Sequence, residues 1–368
     1  MCRKTKESEL LELQNVSKQV GSSIHINEVS LKLEKGSLYV LLGATLSGKT
    51  SLMRLMAGLD TPTSGDILMN GQSVLKTPVQ KRNIAMVYQQ FINYPAFTVY
   101  ENIASPLRVA GFDKKSIDIK VREAADLMKL TPYLDRGVLN LSGGQQQRTA
   151  LARALVKGAE LVLLDEPLAN LDYKLREELR IELPRIFAEA GAIFVYATTE
   201  PQEALLLGGS TVTLREGCVT QFGKTIDVYN NPSNLDTAQT FSDPPMNVIQ
   251  MQKQGINLTF SYGQVSCPKD MQSLPDGSYS IGIRPHHLML IKTEAASLKI
   301  EAPVSSTEIS GSETFIHVSQ DDLKLVVLTH GVHRVRIGDH VAIYIDPSKF
   351  FIFDQHDTLV SAPSVGVA

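Results

Sequence analysis

Tryptophan is absent from the 368 residues, and aromatic residues of all kinds make up 6% of them. Cysteine occurs three times, as Cys2, Cys218 and Cys267. An odd number at such wide spacing builds neither a disulfide framework nor a zinc site, and it fits reduced thiols in a cytosolic protein. No uninterrupted apolar run approaches the ~18 residues that span a bilayer, so the chain crosses no membrane unaided. Met1–Lys6 is basic, but Glu7 and Glu9 stand where a secretion signal would need an apolar stretch. Neither sign of charge dominates. Lys and Arg total 36 against 39 Asp and Glu, a net charge of −3, which gives no electrostatic ground for wrapping nucleic acid. Between His25 and His286 there is no histidine.

Apolar residues make up 43% and charged residues 20%, enough to bury a sizeable core and too patterned for a disordered chain. The length suggests two or three domains at about 150 residues each. The texture changes near residue 240. Before it, the apolar runs Leu38–Leu42, Leu161–Leu164 and Ala192–Ala197 alternate with helical stretches, as in a parallel sheet covered on both faces. Leu11–Val16 and Val29–Leu33 alternate apolar with polar residues, so a small antiparallel sheet should precede the parallel one. Asp243-Pro244-Pro245 breaks the pattern. Beyond it Tyr279–Ile283, Thr314–Val318, Leu323–Val327 and His340–Ile345 read as short strands of an antiparallel barrel or sandwich. Ser361–Ala368 are small and weakly patterned, and should fray.

Gly43-Ala44-Thr45-Leu46-Ser47-Gly48-Lys49-Thr50 fits G-x-x-x-x-G-K-[ST], with the required strand before it and an apolar-faced helix after it. Such a loop turns backbone N–H groups onto phosphate oxygens at a helix N-terminus. Lys49 should reach the β- and γ-phosphates, and Thr50 should ligate Mg²⁺ through its hydroxyl. Ser51 continues the binding segment. Leu161–Leu164 runs into Asp165-Glu166, which places Asp165 at the carboxyl edge of the sheet, where ligands bind. Asp165 should hold Mg²⁺ through its water shell, and Glu166 should polarise the attacking water. Taken alone, that run could be a core strand ending in a solvated turn; the phosphate loop upstream favours the functional reading. Ser142 with Gln145 makes a capping box. Gly143 and Gly144 directly behind the cap expose backbone N–H groups, a second anion site. One chain needs only one γ-phosphate cradle, whereas a dimer whose chains exchange these segments uses both.

Leu141-Ser142-Gly143-Gly144-Gln145 matches the signature of the ATP-binding cassette family, and the sequence resembles the ATPase subunits of importers in its carbohydrate-uptake branch. Val87–Gln90, Tyr94-Pro95 and Thr98–Asn102 resemble the Q-loop region, which implies that Gln89 contacts Mg²⁺ and the γ-phosphate side. Leu168–Asp172 resembles the D-loop, with Asp172 at the dimer seam. Ile281–Leu288 and Gly311–Thr314 resemble the accessory OB-like (TOBE) domain. The resemblance implies an α/β P-loop NTPase core over residues 1–238, with an antiparallel β subdomain and a helical subdomain over about 90–155. A C-terminal all-β domain over 239–368 should follow. It implies ATP and Mg²⁺ as cofactors and a second cassette chain as partner. Two transmembrane permease subunits, an extracellular or periplasmic solute-binding protein and a peripheral place on the cytoplasmic face of the bacterial membrane are also implied. No nucleic acid is expected. The run Phe91–Phe97, which could equally be core, would then form a groove for a short helix of a membrane subunit.

Three positions depart from the family. Leu46 replaces a usual glycine, and would be strained if its φ is positive. Thr199 stands where a histidine contacts the γ-phosphate; its hydroxyl can hydrogen-bond a phosphate but carries no charge. Val20 stands where an aromatic ring stacks on adenine, with His25 a less favoured substitute. These departures affect one nucleotide pocket while the signature is intact, which points to a heterodimer in which this chain's own pocket hydrolyses slowly. Leu46 together with Thr198-Thr199-Glu200-Pro201 resembles one of the two non-identical ATPase chains of some bacterial glycerol importers, which implies glycerol, another polyol or glycerol 3-phosphate as solute. A homodimer, an ATP-binding regulatory subunit and a soluble cassette unconnected with transport remain the alternatives. Other features carry no function. Pro184 should interrupt the helix Lys174–Ala188. His286 and His287 should point to opposite faces of a strand, and His330 and His333 should lie at the surface.

Overall fold

The computed structural model describes residues 10–90, 92–169, 171–268, 271–293 and 298–363. Phe91 of the aromatic run, Asn170 of the D-loop segment and the terminal residues 1–9 and 364–368 lie outside the described residues. The chain divides into two compact units, one ending at Thr225 and the other beginning at Ile226. Residues 226–238, expected to belong with the first domain, therefore fall in the second unit. The reason lies in packing: Ala238 is buried with Met246, Phe351 and Phe353, and Leu235 packs against that cluster. Asp243-Pro244-Pro245 breaks regularity inside this unit and does not mark its edge.

The first unit begins with β1 (Leu10–Val20), β2 (Ser23–Glu34), β3 (Leu38–Leu42) and α1 (Lys49–Ala57). β4 (Ser64–Met69), β5 (Gln72–Ser73), β6 (Ile84–Val87), α2 (Val99–Val109), α3 (Lys114–Leu127) and α4 (Gly143–Val156) follow. It closes with β7 (Leu161–Asp165), α5 (Tyr173–Ala190), β8 (Ile193–Thr198), α6 (Pro201–Leu207), β9 (Ser210–Arg215) and β10 (Cys218–Lys224). β1, β2, β4 and β5 form an antiparallel sheet in the order β2-β1-β4-β5. The second sheet has the order β10-β9-β3-β8-β7-β6, parallel except for β10.

The two sheets differ as their patterns require. β2 buries alternate residues, Val29, Leu31 and Leu33, and exposes those between. Every residue of β7 and β8 is buried, because helices cover both faces of a parallel sheet. Each fully buried Val, Leu or Ile stabilises the sheet by about 1.5–3 kcal/mol relative to exposure. Leu41, Leu163 and Val195 of three neighbouring strands share one cluster with Leu52, Leu55 and Met56 of α1 and with Leu13 and Leu31 of the small sheet. That cluster fixes α1, and hence the loop in front of it, against the strand ends. Gly58 closes α1 in the left-handed conformation at φ 72°, its N–H on the Leu55 carbonyl. α2, α3 and α4 occupy the expected helical region. α5 runs unbroken through Pro184, so the expected interruption does not occur.

The second unit is all-β apart from short helices. A six-stranded antiparallel sheet runs in the order 263–266, 257–260, 247–254, 277–283, 351–353 and 359–361. A five-stranded one runs in the order 288–289, 340–345, 298–309, 313–320 and 323–330. Inward residues of both, such as Ile281, Ile300, Val318, Leu325 and Ile343, make one core. All four strands expected from alternation are present. Two expectations are corrected. Ser361 ends a paired strand and is not frayed. His286 and His287 lie in a 3₁₀ turn, Pro285–His287, with their rings edge to face at 4.4 Å; proline opens the turn and removes the strand geometry that would have separated them.

Candidate functional site

The carboxyl ends of β3, β6, β7 and β8 carry, in turn, the phosphate loop, Gln89, Asp165-Glu166 and Thr199. Ligands bind at such strand ends in open parallel sheets. There a cavity of about 640 Å³ is lined by Thr45, Leu46, Ser47, Gly48, Lys49, Thr50, Ser51, Gln89, Glu166 and Thr199. The remaining wall comes from Ile24 and His25 on β2 and from Glu216 and Gly217 in the β9–β10 turn.

The loop holds itself together. Lys49 Nζ donates to the Gly43 carbonyl at 2.7 Å and to the Ala44 carbonyl at 3.0 Å. Gly43 admits no side chain: a Cβ there would lie 2.5 Å from the Leu214 carbonyl oxygen. Gly48 has φ 104°, and a Cβ would stand 3.0 Å from the His25 carbonyl oxygen. The Glu216–Gly217 turn clamps the loop from the side, with Gly217 N–H on the Ser47 carbonyl and Asn27 N–H on the Gly217 carbonyl, both at 3.0 Å. Ser47 Oγ is buried without a hydrogen-bond partner, an orphan polar atom in a loop shaped for anions.

Leu46 has φ 68° and is 95% exposed. A left-handed leucine costs about 1–2 kcal/mol, and here the chain offers no burial in return. Leu46→Gly should therefore raise the unfolding free energy by about 0.5–1 kcal/mol, the relief of strain being partly offset by a more flexible unfolded chain. Denaturant unfolding checks this; a lower midpoint would mean that the leucine side chain contributes a contact.

Thr50 Oγ1 donates to Asp165 Oδ2 at 2.8 Å. Burial raises the Asp165 carboxyl above its ordinary pKa, opposed by the Thr50 hydrogen bond and the Lys49 charge. A hydroxyl and one carboxylate suit a hard cation that keeps phosphate and water among its ligands, so the residues fit Mg²⁺. Glu166 has φ 45°, an uncommon left-handed backbone that turns its carboxylate into the cavity. Its N–H is held by the Ala197 carbonyl at 3.0 Å. Gln89 Nε2 donates to Glu166 Oε2 at 2.9 Å, and Lys49 Nζ lies 4.0 Å from Oε1. Burial raises the Glu166 pKa; Lys49 opposes this, while Asp165, Glu203 and Glu200 add to it. Burial lowers the Lys49 pKa, and the charges of Glu166 and Asp165 counter it. The structure thus gathers a cation, a base, an amide and a metal-type pair at one mouth.

Val20 is not among the residues lining the cavity. It closes the β1–β2 hairpin opposite Ser23 and is half exposed. Ile24 and His25 take that wall instead, with His25 on a strand. Glu216 and Gly217 carried no motif; a Glu-Gly pair between two strands was the only local sign of a turn. The second anion segment lies elsewhere. Ser142 caps α4, its hydroxyl accepting from Gln145 N–H at 3.4 Å while Gln145 Oε1 accepts from Ser142 N–H at 3.0 Å. Leu141 is buried beneath it. Gly143 and Gly144 open the helix, and Ser142 is exposed. Asp172 caps α5 through Leu175 N–H at 3.0 Å. None of these residues lines the cavity of its own chain.

A model of the ABC transporter family matches residues 26–169, and a TOBE domain model matches residues 281–353. The chain is 35% identical over 353 residues to the alpha-glucoside transport ATP-binding protein AglK of Rhizobium meliloti (strain 1021), across 94% of this chain and 97% of that protein. It is 33% identical over 359 residues to the maltose/maltodextrin import ATP-binding protein MalK of Escherichia coli (strain K12), across 95% and 96%. It is 32% identical over 353 residues to the sn-glycerol-3-phosphate import ATP-binding protein UgpC of Psychromonas ingrahamii, across 94% and 93%. Among solved structures, the dimeric post-hydrolysis state of the ATP-binding cassette MJ0796 bound to ADP and Pi superposes with a TM-score of 0.54 at 27% identity, covering 58% of this chain and 98% of that one. Identity of this order along nearly the whole length, joined to the chemistry gathered at the strand ends, places the chain in the ABC transporter family, as an ATP-hydrolysing cassette followed by a TOBE domain.

Proposed function

We propose that the chain is the ATP-binding subunit of a carbohydrate-type ABC importer, acting from the cytoplasmic face of the bacterial membrane. The observation that carries the reading is the convergence of Lys49, Thr50, Gln89 and Glu166 on one cavity, with Asp165 just behind it on the Thr50 hydroxyl. Lys49 neutralises the terminal phosphates, with the loop N–H groups around them. Thr50 and Asp165 would hold Mg²⁺, with Gln89 beside them, and the ion would supply charge stabilisation for the transferred phosphoryl group. Glu166 orients the attacking water and draws its proton, and Gln89 holds the carboxylate by the hydrogen bond already made. Leu141–Gln145 serves the nucleotide of a second cassette, and Asp172 lies at the seam between them. Among the described residues no helix is long and apolar enough to cross a membrane, so solute passes through two permease subunits that a solute-binding protein supplies. A groove of about 300 Å³ lined by Tyr94, Pro106, Val109, Ala150 and Arg153 supports docking of a permease helix.

The second cassette is a non-identical chain, and the solute is glycerol, a related polyol or glycerol 3-phosphate. Thr199 supports the unequal pairing: it lines the cavity with Glu166 and brings a hydroxyl where the resemblance expects an imidazole. The same residue favours a second reading, in which this chain binds ATP and regulates the cycle without turning over at its own site. Turnover of the purified chain, alone and mixed with a candidate partner, tests both. Little activity alone and full activity in the mixture is expected; full activity alone defeats the unequal pair. Thr199→His should raise hydrolysis at this chain's own pocket on the order of tenfold, below the ~10²–10⁴-fold of a fully positioned proton-transfer group because the surrounding segment is shaped for threonine. An unchanged rate would remove Thr199 from the explanation.

A further inference from the structure

Behind the cavity lies a chain of charges to which the sequence motifs assign no role. Glu203 on α6 is 4% exposed. One of its oxygens accepts from Thr198 Oγ1 at 2.7 Å and from Tyr196 Oη at 3.0 Å. The other accepts from Arg180 on α5, from Nε at 3.3 Å and from a terminal nitrogen at 3.0 Å. Arg180, 8% exposed, also pairs closely with Glu200 and donates to Glu177 at 2.6 Å. Glu200 N–H donates to the Thr198 hydroxyl at 3.0 Å, so that hydroxyl both gives and receives a hydrogen bond. The remaining Glu200 oxygen lies 3.7 Å from Arg176. Arg176 in turn donates to the carbonyls of Ala169, at 3.2 Å, and Leu171, at 3.3 Å.

The chain therefore runs without a gap from the loop after Asp165-Glu166 to the residues on both sides of Thr199. Arg176, Arg180, Glu200 and Glu203 do not line the cavity. We propose that they are positioning residues for ATP hydrolysis, locking the Thr198–Glu200 segment to the loop that follows the catalytic carboxylate. The strands themselves pair up to Asp165 and Ala197, with Glu166 N–H on the Ala197 carbonyl. The charge chain carries that connection beyond the sheet into the two loops, which must keep their relative place during turnover. Arginine suits the junction because its planar fork can grip two carbonyls and a carboxylate together, which an ammonium point charge does less well. A chain of this kind acts as a unit, and cutting it at two places should cost no more than cutting it once.

The inference rests on ATP hydrolysis alone and is independent of partner and solute. Arg180 and Glu203 are too buried to change without risk to folding, so the test uses Arg176 and Glu200, whose side chains are 26% and 45% exposed. Full-length Glu200→Gln, Arg176→Gln, Arg176→Lys and the double Arg176→Gln/Glu200→Gln chains are compared with the parent, assembled with the companion subunits. They are also compared alone, in single-turnover hydrolysis over a range of chain concentrations, where the saturated rate and the half-saturating concentration read this chain's own pocket in place of kcat and KM. For each single variant kcat should fall about 5- to 10-fold while KM for ATP stays within about twofold, because no group touching nucleotide is altered. The double variant should fall no further, and Arg176→Lys should not rescue. Amide hydrogen exchange on the full chain should quicken about tenfold at residues 168–172 when only Glu200 is changed, with the thermal midpoint nearly unmoved. Losses that multiply in the double variant, a KM effect in place of a kcat effect, or exchange at 168–172 indifferent to Glu200 would each overturn the proposal. A parent assembly without turnover would instead count against the ATPase reading, and the exchange data would still decide the linkage.

Discussion

Replacing Lys49 by methionine should weaken ATP binding on the order of 300-fold while the chain stays folded. Lys49 is the cation buried among the loop carbonyls, tied to Gly43 and Ala44 and 4.0 Å from Glu166. Methionine keeps the length and apolar stem, so the space between α1 and the sheet stays filled. What disappears is a pair of charge-assisted hydrogen bonds to phosphate oxygens, each worth about 1.5–3 kcal/mol, and about 3.5 kcal/mol in total corresponds to that factor. The folded chain loses the ties to two carbonyls, but it also loses an ammonium whose burial depresses its pKa, and these losses oppose each other. Titration with a fluorescent ATP analogue, alongside a thermal midpoint, separates binding from folding. A dissociation constant within threefold of the parent would mean that the loop N–H groups hold the phosphates unaided.

Glu166→Gln should do the reverse, leaving binding intact and lowering hydrolysis at this pocket by ~10²–10³-fold. Glutamine keeps the size and can still accept the Gln89 hydrogen bond, but its carbonyl cannot take a proton from water. General-base assistance is worth about 10²–10⁴-fold; the lower part of that range applies because Thr199 leaves the site without an imidazole. Single-turnover hydrolysis with the chain in excess over labelled ATP reads this pocket alone. Retained hydrolysis would move the base elsewhere, whereas a parent chain that hydrolyses nothing in the same assay would favour the regulatory reading.

The phosphate loop, Asp165-Glu166 and the capped glycine pair were legible because each is a short run whose neighbours determine its backbone. Strand, glycine turn and helix follow one another within Leu38–Ala57. The β-strands of the second unit were legible by alternation. Ile24, His25, Glu216 and Gly217 were not, since they reach the cavity through a hairpin and a turn whose meeting depends on the Gly217–Ser47 hydrogen bond, a tertiary fact without periodicity. The arginine–glutamate chain was hidden for the same reason. Its members are spread over α5, α6 and the Glu200 cap before α6, and the helical ones read alone as ordinary surface charges. The division after Thr225 was missed because a Pro-Pro break is a strong local signal, whereas the burial of Ala238 against Phe351 and Phe353 joins residues far apart in sequence.

The cap of α4 separates two demands that usually coincide. Gln145 N–H uses the Ser142 oxygen as an acceptor, so the hydroxyl proton is left to point outward from an exposed helix start. An aspartate would start the helix about equally well, yet its negative charge would repel any anion arriving at the same backbone N–H groups. Stability therefore does not distinguish serine from aspartate or asparagine here, although alanine would cost about 1 kcal/mol. A library screened only for folded protein should let Ser142 exchange with other capping residues, whereas one screened for ATP turnover in the assembly should hold a neutral donor.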